Sequence, residues 1–217
     1  MYGNLATHNT GGILVFNLPG LPVYGARTRV YENEMIDNNT PNFAPAGNIV
    51  AGVPTGTGLM ILANDQVEVF NNTFSGNDTS SITMISYRTA VVIGDIDPPT
   101  DPLFDQYSES LYVHDNTYSG GGTMPPTSLN ALLALLEESC DLPGGLPVPQ
   151  IVLDGDVDTA KLVEGTLPAA LRSCVQESAA TFVTLDFANG FANPSCDPLP
   201  FNCSLTALGP VAIAGVQ

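Results

Sequence analysis

Val30-Tyr31-Glu32-Asn33, Val69-Phe70-Asn71-Asn72 and Val113-His114-Asp115-Asn116 are one motif met three times, and Met1-Tyr2-Gly3-Asn4 is a fourth copy. Each puts an apolar residue first and Asn fourth, and three of the four carry an aromatic residue second. The likeness runs on downstream, where Asn4 leads to His8-Asn9-Thr10, Asn33 to Asp37-Asn38-Asn39-Thr40, and Asn72 to Ser75-Gly76-Asn77-Asp78. A second strand type follows each polar turn: Gly12-Ile13-Leu14-Val15-Phe16, Gly58-Leu59-Met60-Ile61-Leu62 and Ser81-Ile82-Thr83-Met84-Ile85. Self-similarity of this kind marks a repeat architecture.

Stacked parallel strands place equivalent residues above one another, so like side chains form ladders. An Asn at each strand-to-turn corner can bond to the next turn and tolerate a left-handed backbone. Asn4, Asn33, Asn72 and Asn116 are the expected ladder. The expected fold is an all-β, right-handed single-stranded parallel β-helix, a solenoid, with a small disulfide-linked C-terminal cap holding one or two short helices. Residues 1–127 are assigned to its coils, with insertions at about 41–57 and 88–110, and residues 128–217 to the C-terminal helix and cap. An antiparallel sandwich would not require Asn at the same corner of successive units.

The composition agrees with short strands and frequent turns. Of 217 residues, 44% are hydrophobic and only 12% charged, with 21 Gly and 18 Pro. The net charge of −17 repels phosphate backbones and anionic lipid, which argues against nucleic acid or anionic membrane as a partner. No stretch is long and apolar enough to span a bilayer. Met1-Tyr2-Gly3-Asn4 has no signal-peptide character, so an exported protein would be represented here by its mature part or a fragment. The open coil at Met1 is expected to stack on removed upstream coils or on another chain, which would make a homo-oligomer.

Cys140, Cys174, Cys196 and Cys203 all lie near the C-terminus, without CxxC spacing and far from His8 and His114. Two disulfides in an oxidising compartment are expected, paired Cys140 with Cys174 and Cys196 with Cys203, one of three possible connectivities. Ser128 to Ser139 reads as a helix with Ser128 as N-cap, covering the last coil. A second short helix is expected from Pro168 to Cys174. Strands are expected at Gln150 to Leu153, Thr181 to Asp186 and near Asn48 to Val53. Arg88 to Ser110 carries Asp95, Asp97, Asp101 and Asp105 beside Pro98, Pro99 and Pro102, which reads as a long acidic loop.

These repeats resemble those of the pectin-lyase-like superfamily, and more closely a bacterial family of exported parallel β-helix repeat proteins of unknown function. The residues that carry the likeness are Tyr2-Gly3-Asn4, Thr10 to Gly20, Asn38 to Ala44 and Ile85-Ser86-Tyr87. In the cap they are Leu153-Asp154-Gly155, Phe182 to Asp186 and Pro200 to Leu205. The resemblance implies export to the periplasm, cell surface or medium, and a partner that is also exported. It transfers no catalytic residue.

The commonest chemistry of such folds is lysis or epimerisation of uronate-containing glycans. It needs a base near the uronate C5 and a cation or Arg on its carboxylate. Tyr87, Arg88 and His114 are the candidates. The plainer reading pairs Arg88 with a carboxylate, packs Tyr87 at a coil edge and makes His114 a ladder position beside Tyr31 and Phe70. Calcium is the candidate ion, through Asp95, Asp97 and Asp101 or through Asp154, Asp156 and Asp158. No organic cofactor is expected. Position 12 of an EF-hand loop starting at Asp154 falls on Gly165, so a solvated acidic turn competes with the calcium reading. The favoured function is a scaffold or binding protein that recognises a glycan or an exported partner, with a polysaccharide lyase or epimerase as the alternative.

Overall fold

In the computed structural model, which describes residues 1–94 and 96–210, the repeat's third position does the turning. Gly3, Glu32, Asn71 and Asp115 have φ of +64°, +54°, +53° and +55°, the left-handed region in which the chain can bend sharply. The Asn that follows is not left-handed. That part of the expectation is corrected, because Asn acts through its side chain. A second corner is built alike, with His8, Asp37 and Gly76 at φ of +57°, +51° and +61°, just before Asn9, Asn38 and Asn77.

Between these corners run the strands β1 (Leu5–Thr7), β2 (Gly11–Phe16), β3 (Ala26–Tyr31), β4 (Glu34–Ile36), β5 (Thr57–Leu62), β6 (Asp65–Phe70), β7 (Thr73–Ser75) and β8 (Ser80–Ile85). Helix α1 (Tyr87–Gly94) follows, then β9 (Tyr112–His114), β10 (Thr117–Ser119), α2 (Asn130–Cys140), β11 (Ile151–Leu153), β12 (Cys174–Gln176) and β13 (Phe182–Thr184). Three sheets result, ordered β1-β4-β7-β10, β2-β5-β8-β11-β13 and β3-β6-β9-β12. Every strand pair within them is parallel. Successive circuits of the chain thus add one strand to each sheet in turn.

This content corrects the expected class. Helical residues make up 20% and strand residues 28%, in three parallel sheets of short strands, which is a mixed α/β architecture and not the all-β β-helix solenoid expected. The physical reason lies in the insertions. Parallel strands need apolar cover on both faces, and here helices and loops supply the outer cover of the middle sheet. The sheets also run through residue 128, since β11, β12 and β13 extend two of them.

The register stacks like on like. Val30, Val69, Val113 and Val175 form one column. Ile13, Leu59, Ile82, Ile151 and Phe182 form another. Met35 and Phe74 form a third, and all belong to the main core. Gly58 permits the close approach of two circuits, because a Cβ there would lie 2.6 Å from the Ser81 carbonyl oxygen. A second core of Val53, Met60, Leu62, Ile85, Tyr87, Ala90 and Phe104 lies on the other face of β5 and β8, which is why all six residues of β5 are buried.

Several local expectations change. Residues 88–110 are not all loop: α1 occupies the start, with the Ser86 hydroxyl accepting from the Thr89 amide at 3.1 Å. Its apolar Ala90 and Val91 reach the second core before the prolines intervene. Near Asn48 a 3₁₀ turn, Ile49–Gly52, replaces the expected strand, because the Asn48 side chain accepts the Val50 amide and caps it. The second helix shrinks to a 3₁₀ turn at Ala169–Leu171, since Cys174 instead donates its amide to Leu111 and joins a sheet. Helix α2 starts after a 3₁₀ turn at Thr127–Leu129 without a side-chain cap from Ser128.

The disulfides join Cys140 to Cys196 and Cys174 to Cys203, which corrects the expected pairing. Cys140 and Cys196 meet in the apolar cluster of Leu136, Val148, Val152, Val183 and Leu185 under α2. Among the described residues no helix is long and apolar enough to cross a membrane.

Candidate functional site

The Asn residues form two columns with one polarity. Asn4 donates to Asn33 Oδ1, Asn33 to Asn72 Oδ1, and Asn72 to Asn116 Oδ1, each through both the main-chain and side-chain amides, at 2.8–3.1 Å. Asn116 ends the column by donating to Glu177 Oε1 at 3.1 and 2.7 Å. In the second column Asn9 donates to Asn38 Oδ1, and Asn38 to Asn77 Oδ1, at 3.1–3.3 Å. Beside the first column Tyr2, Tyr31, Phe70 and His114 stack with centroids 5.0, 5.0 and 5.4 Å apart and planes within 9° of parallel.

The candidate catalytic residues occupy separate surroundings. His114 is held by this stack, with Nε2 3.3 Å from Glu68 and Nδ1 2.7 Å from Asp115. Tyr87 is buried, edge-on to Phe104 at 5.2 Å, and burial raises its phenol pKa. Arg88 Nη1 pairs with Asp156 Oδ1 at 2.8 Å, and its guanidinium lies 5.5 Å from the ring centroids of both Tyr107 and Phe187. Tyr87 and Arg88 are chain neighbours, but among the described residues no hydrogen bond, ion pair or ring contact joins any of the three side chains.

The proposed calcium ligands divide likewise. Asp154 is buried and accepts from the Ser86 amide and the Thr89 hydroxyl at 2.6 Å each, and from the Asp156 amide at 3.1 Å. Burial pushes its carboxyl up to about 6, against the pull of those donors. Asp156 faces Arg88, and Asp158 accepts the Ala160 amide at 2.9 Å. Asp101 accepts from the Gly20 and Leu103 amides at 3.0 and 2.9 Å and from the Tyr24 hydroxyl, fastening its loop. Asp97 is exposed, and Asp95 lies outside the described residues.

Of the carboxylates that do converge, the sequence reading named Asp105, in the acidic loop, and missed Asp65 and Glu109. Asp65, Asp105 and Glu109 each place an oxygen within 4.8 Å of the others. Lys161 Nζ already lies 2.7 Å from Asp105 and 2.8 Å from Glu109. Burial pushes the Asp65 carboxyl up to about 6. The one usable signal was that Lys161 is the sole lysine of the chain. Nothing local links it to residues some fifty positions away.

Arg29 is 3.5 Å from Glu68 and lies over Tyr31 and Phe70 at 4.8 and 5.1 Å. Arg29, Arg88 and Lys161 are thus each tied to carboxylates. Arg27 and Arg172 take part in no ion pair among the described residues. Arg27 borders a cavity of about 450 Å³ shared with Glu68, Tyr112 and Leu208.

No protein-family model, curated protein or solved structure matches this chain. The family resemblance rests on the quoted residues alone.

Proposed function

We propose that this is an exported binding or scaffold protein that recognises another macromolecule, a partner polypeptide or a glycan, without transforming it. The observation that carries this reading is that the side chains of Tyr87, Arg88 and His114 each engage different partners, with a carboxylate already paired to Arg88. A uronate lyase needs a base and an uncommitted cation at one substrate carbon. Here the guanidinium offered for that role would have to leave Asp156, a carboxylate whose side chain is fully buried. Breaking such a pair leaves an uncompensated buried charge.

Two disulfides favour an oxidising compartment, periplasmic, cell-surface or extracellular. The test has two arms. Incubation with a panel of uronate polymers should yield no unsaturated, ultraviolet-absorbing product, and mixing with an exported protein encoded beside it should give a stable complex on size exclusion. Turnover that disappears in Arg88→Ala would overturn the reading in favour of the lyase.

A further inference from the structure

The outer face of the middle sheet is covered from two sides. Leu14, Met60, Thr83, Val152 and Val183 stand in one row across it, one from each strand. Helix α1 shelters the Leu14 and Met60 side within the second core, and α2 shelters the Val152 and Val183 side within the apolar cluster beneath it. Between the two covers lies a cavity of about 440 Å³, lined by Thr83, the one polar residue of the row, by Ile93 of α1 and by Leu132 and Leu135 of α2. Sites for small molecules run from about 300 to 1,000 Å³. Ile93 is 52% exposed, and Leu132 and Leu135, on the apolar face of α2, are only half-buried. Apolar surface is thus left wet on both walls.

Among the described residues no charged side chain lines this cavity, in a chain whose net charge is −17. Several of its polar groups are spent within the protein. The Thr79 hydroxyl donates to the Thr55 carbonyl and the Thr89 hydroxyl to Asp154, both at 2.6 Å, and the Asn42 amide donates to the Val50 and Val53 carbonyls at 2.8 and 2.9 Å. The Ser80 and Thr83 hydroxyls share one bond of 2.7 Å. Two hydroxyls carry two protons and that bond uses one, so the pair keeps a donor for a guest. Going beyond the macromolecular binding read above, we infer that the cavity binds an uncharged, largely apolar small molecule whose single hydroxyl meets Ser80 and Thr83. An anion is disfavoured, because no cation among the described residues lines the cavity to offset its desolvation and the acid-rich chain repels it.

The probe is diphenylhexatriene, an uncharged hydrocarbon that fluoresces when it leaves water. Titration should show saturable binding of one probe per protein. 1-Decanol should displace it, and decanoate, of equal length but ionised at neutral pH, should do so about tenfold or more less effectively. Leu135→Trp, which fills the cavity, should abolish binding without lowering the melting temperature. The Ser80→Ala, Thr83→Val protein should keep its affinity for the hydrocarbon and bind decanol about five- to tenfold more weakly. That pair of ligands tests the hydroxyls even if the Trp variant fails to fold. Absence of saturable binding, equal displacement by decanoate, undiminished binding in a folded Leu135→Trp protein, or unchanged decanol affinity in the double variant would each overturn the inference. So would a dimer, or a complex with another polypeptide, that occupies the cavity of the probe-free protein. None of these results bears on the uronate panel or on the exported-partner complex, so the two readings fail separately.

Discussion

Asn72 and Asn116 make the most of their side chains among the rungs, and Asn72 is the more buried of the two. Asn72 is 1% exposed, accepts from Asn33 at 2.9 Å, and donates to Asn116, Val30 and Phe70 at 2.9, 2.9 and 3.1 Å. Removing it strands buried donors on one side and an acceptor on the other. We expect Asn72→Ala to cost about 2–4 kcal/mol in urea unfolding, and Asn4→Ala, which is exposed, less than about 1 kcal/mol. Equal losses would mean that the column does not act through burial. The buried acids give a second expectation at this scale. Asp154 and Asp65 have carboxyls pushed up to about 6 by burial, above the ~4 of an unfolded chain. The fold therefore favours their protonated forms. The resulting stabilisation is complete below about pH 4 and is lost as pH rises through about 6. Tm should rise as buffer is taken from pH 8 to pH 5, and Asp154→Asn should flatten part of that rise.

At the scale of elements, what was legible was what repeats. Val30, Val69 and Val113 announce a column because one register aligns them, and Asn33, Asn72 and Asn116 follow at the next corner. The glycines opening β2 and β5 were legible as strand starts, but their cause lies in the contact between circuits. Gly58→Ala should cost about 1–3 kcal/mol by forcing a Cβ against the Ser81 carbonyl, whereas Gly209→Ala, exposed and with open space around it, should cost less. A thermal melt of both variants checks the contrast. What was not legible did not repeat. Helix α1 was hidden because its stability comes from docking Ala90 and Val91 on the outer face of β5 and β8, a contact with no local signal. The Asp65, Asp105, Glu109 and Lys161 cluster was hidden for the same reason, as its members meet only through the circuits.

For the molecule as a whole, both covalent staples lie in the C-terminal part. The C-terminal side is finished with Glu177, α2 and two disulfides that close loops of 56 and 29 residues. Loop-closure arguments assign about 4 kcal/mol to each bridge, so reduction should lower the urea midpoint markedly, and an unchanged midpoint would deny them a structural role. The chain's net charge of −17 keeps copies apart and suits a protein that meets a chosen partner. The most direct test of binding without turnover is incubation with a panel of uronate polymers, read by ultraviolet absorbance. No absorbing product is the expected result; turnover that disappears in Arg88→Ala would contradict the account.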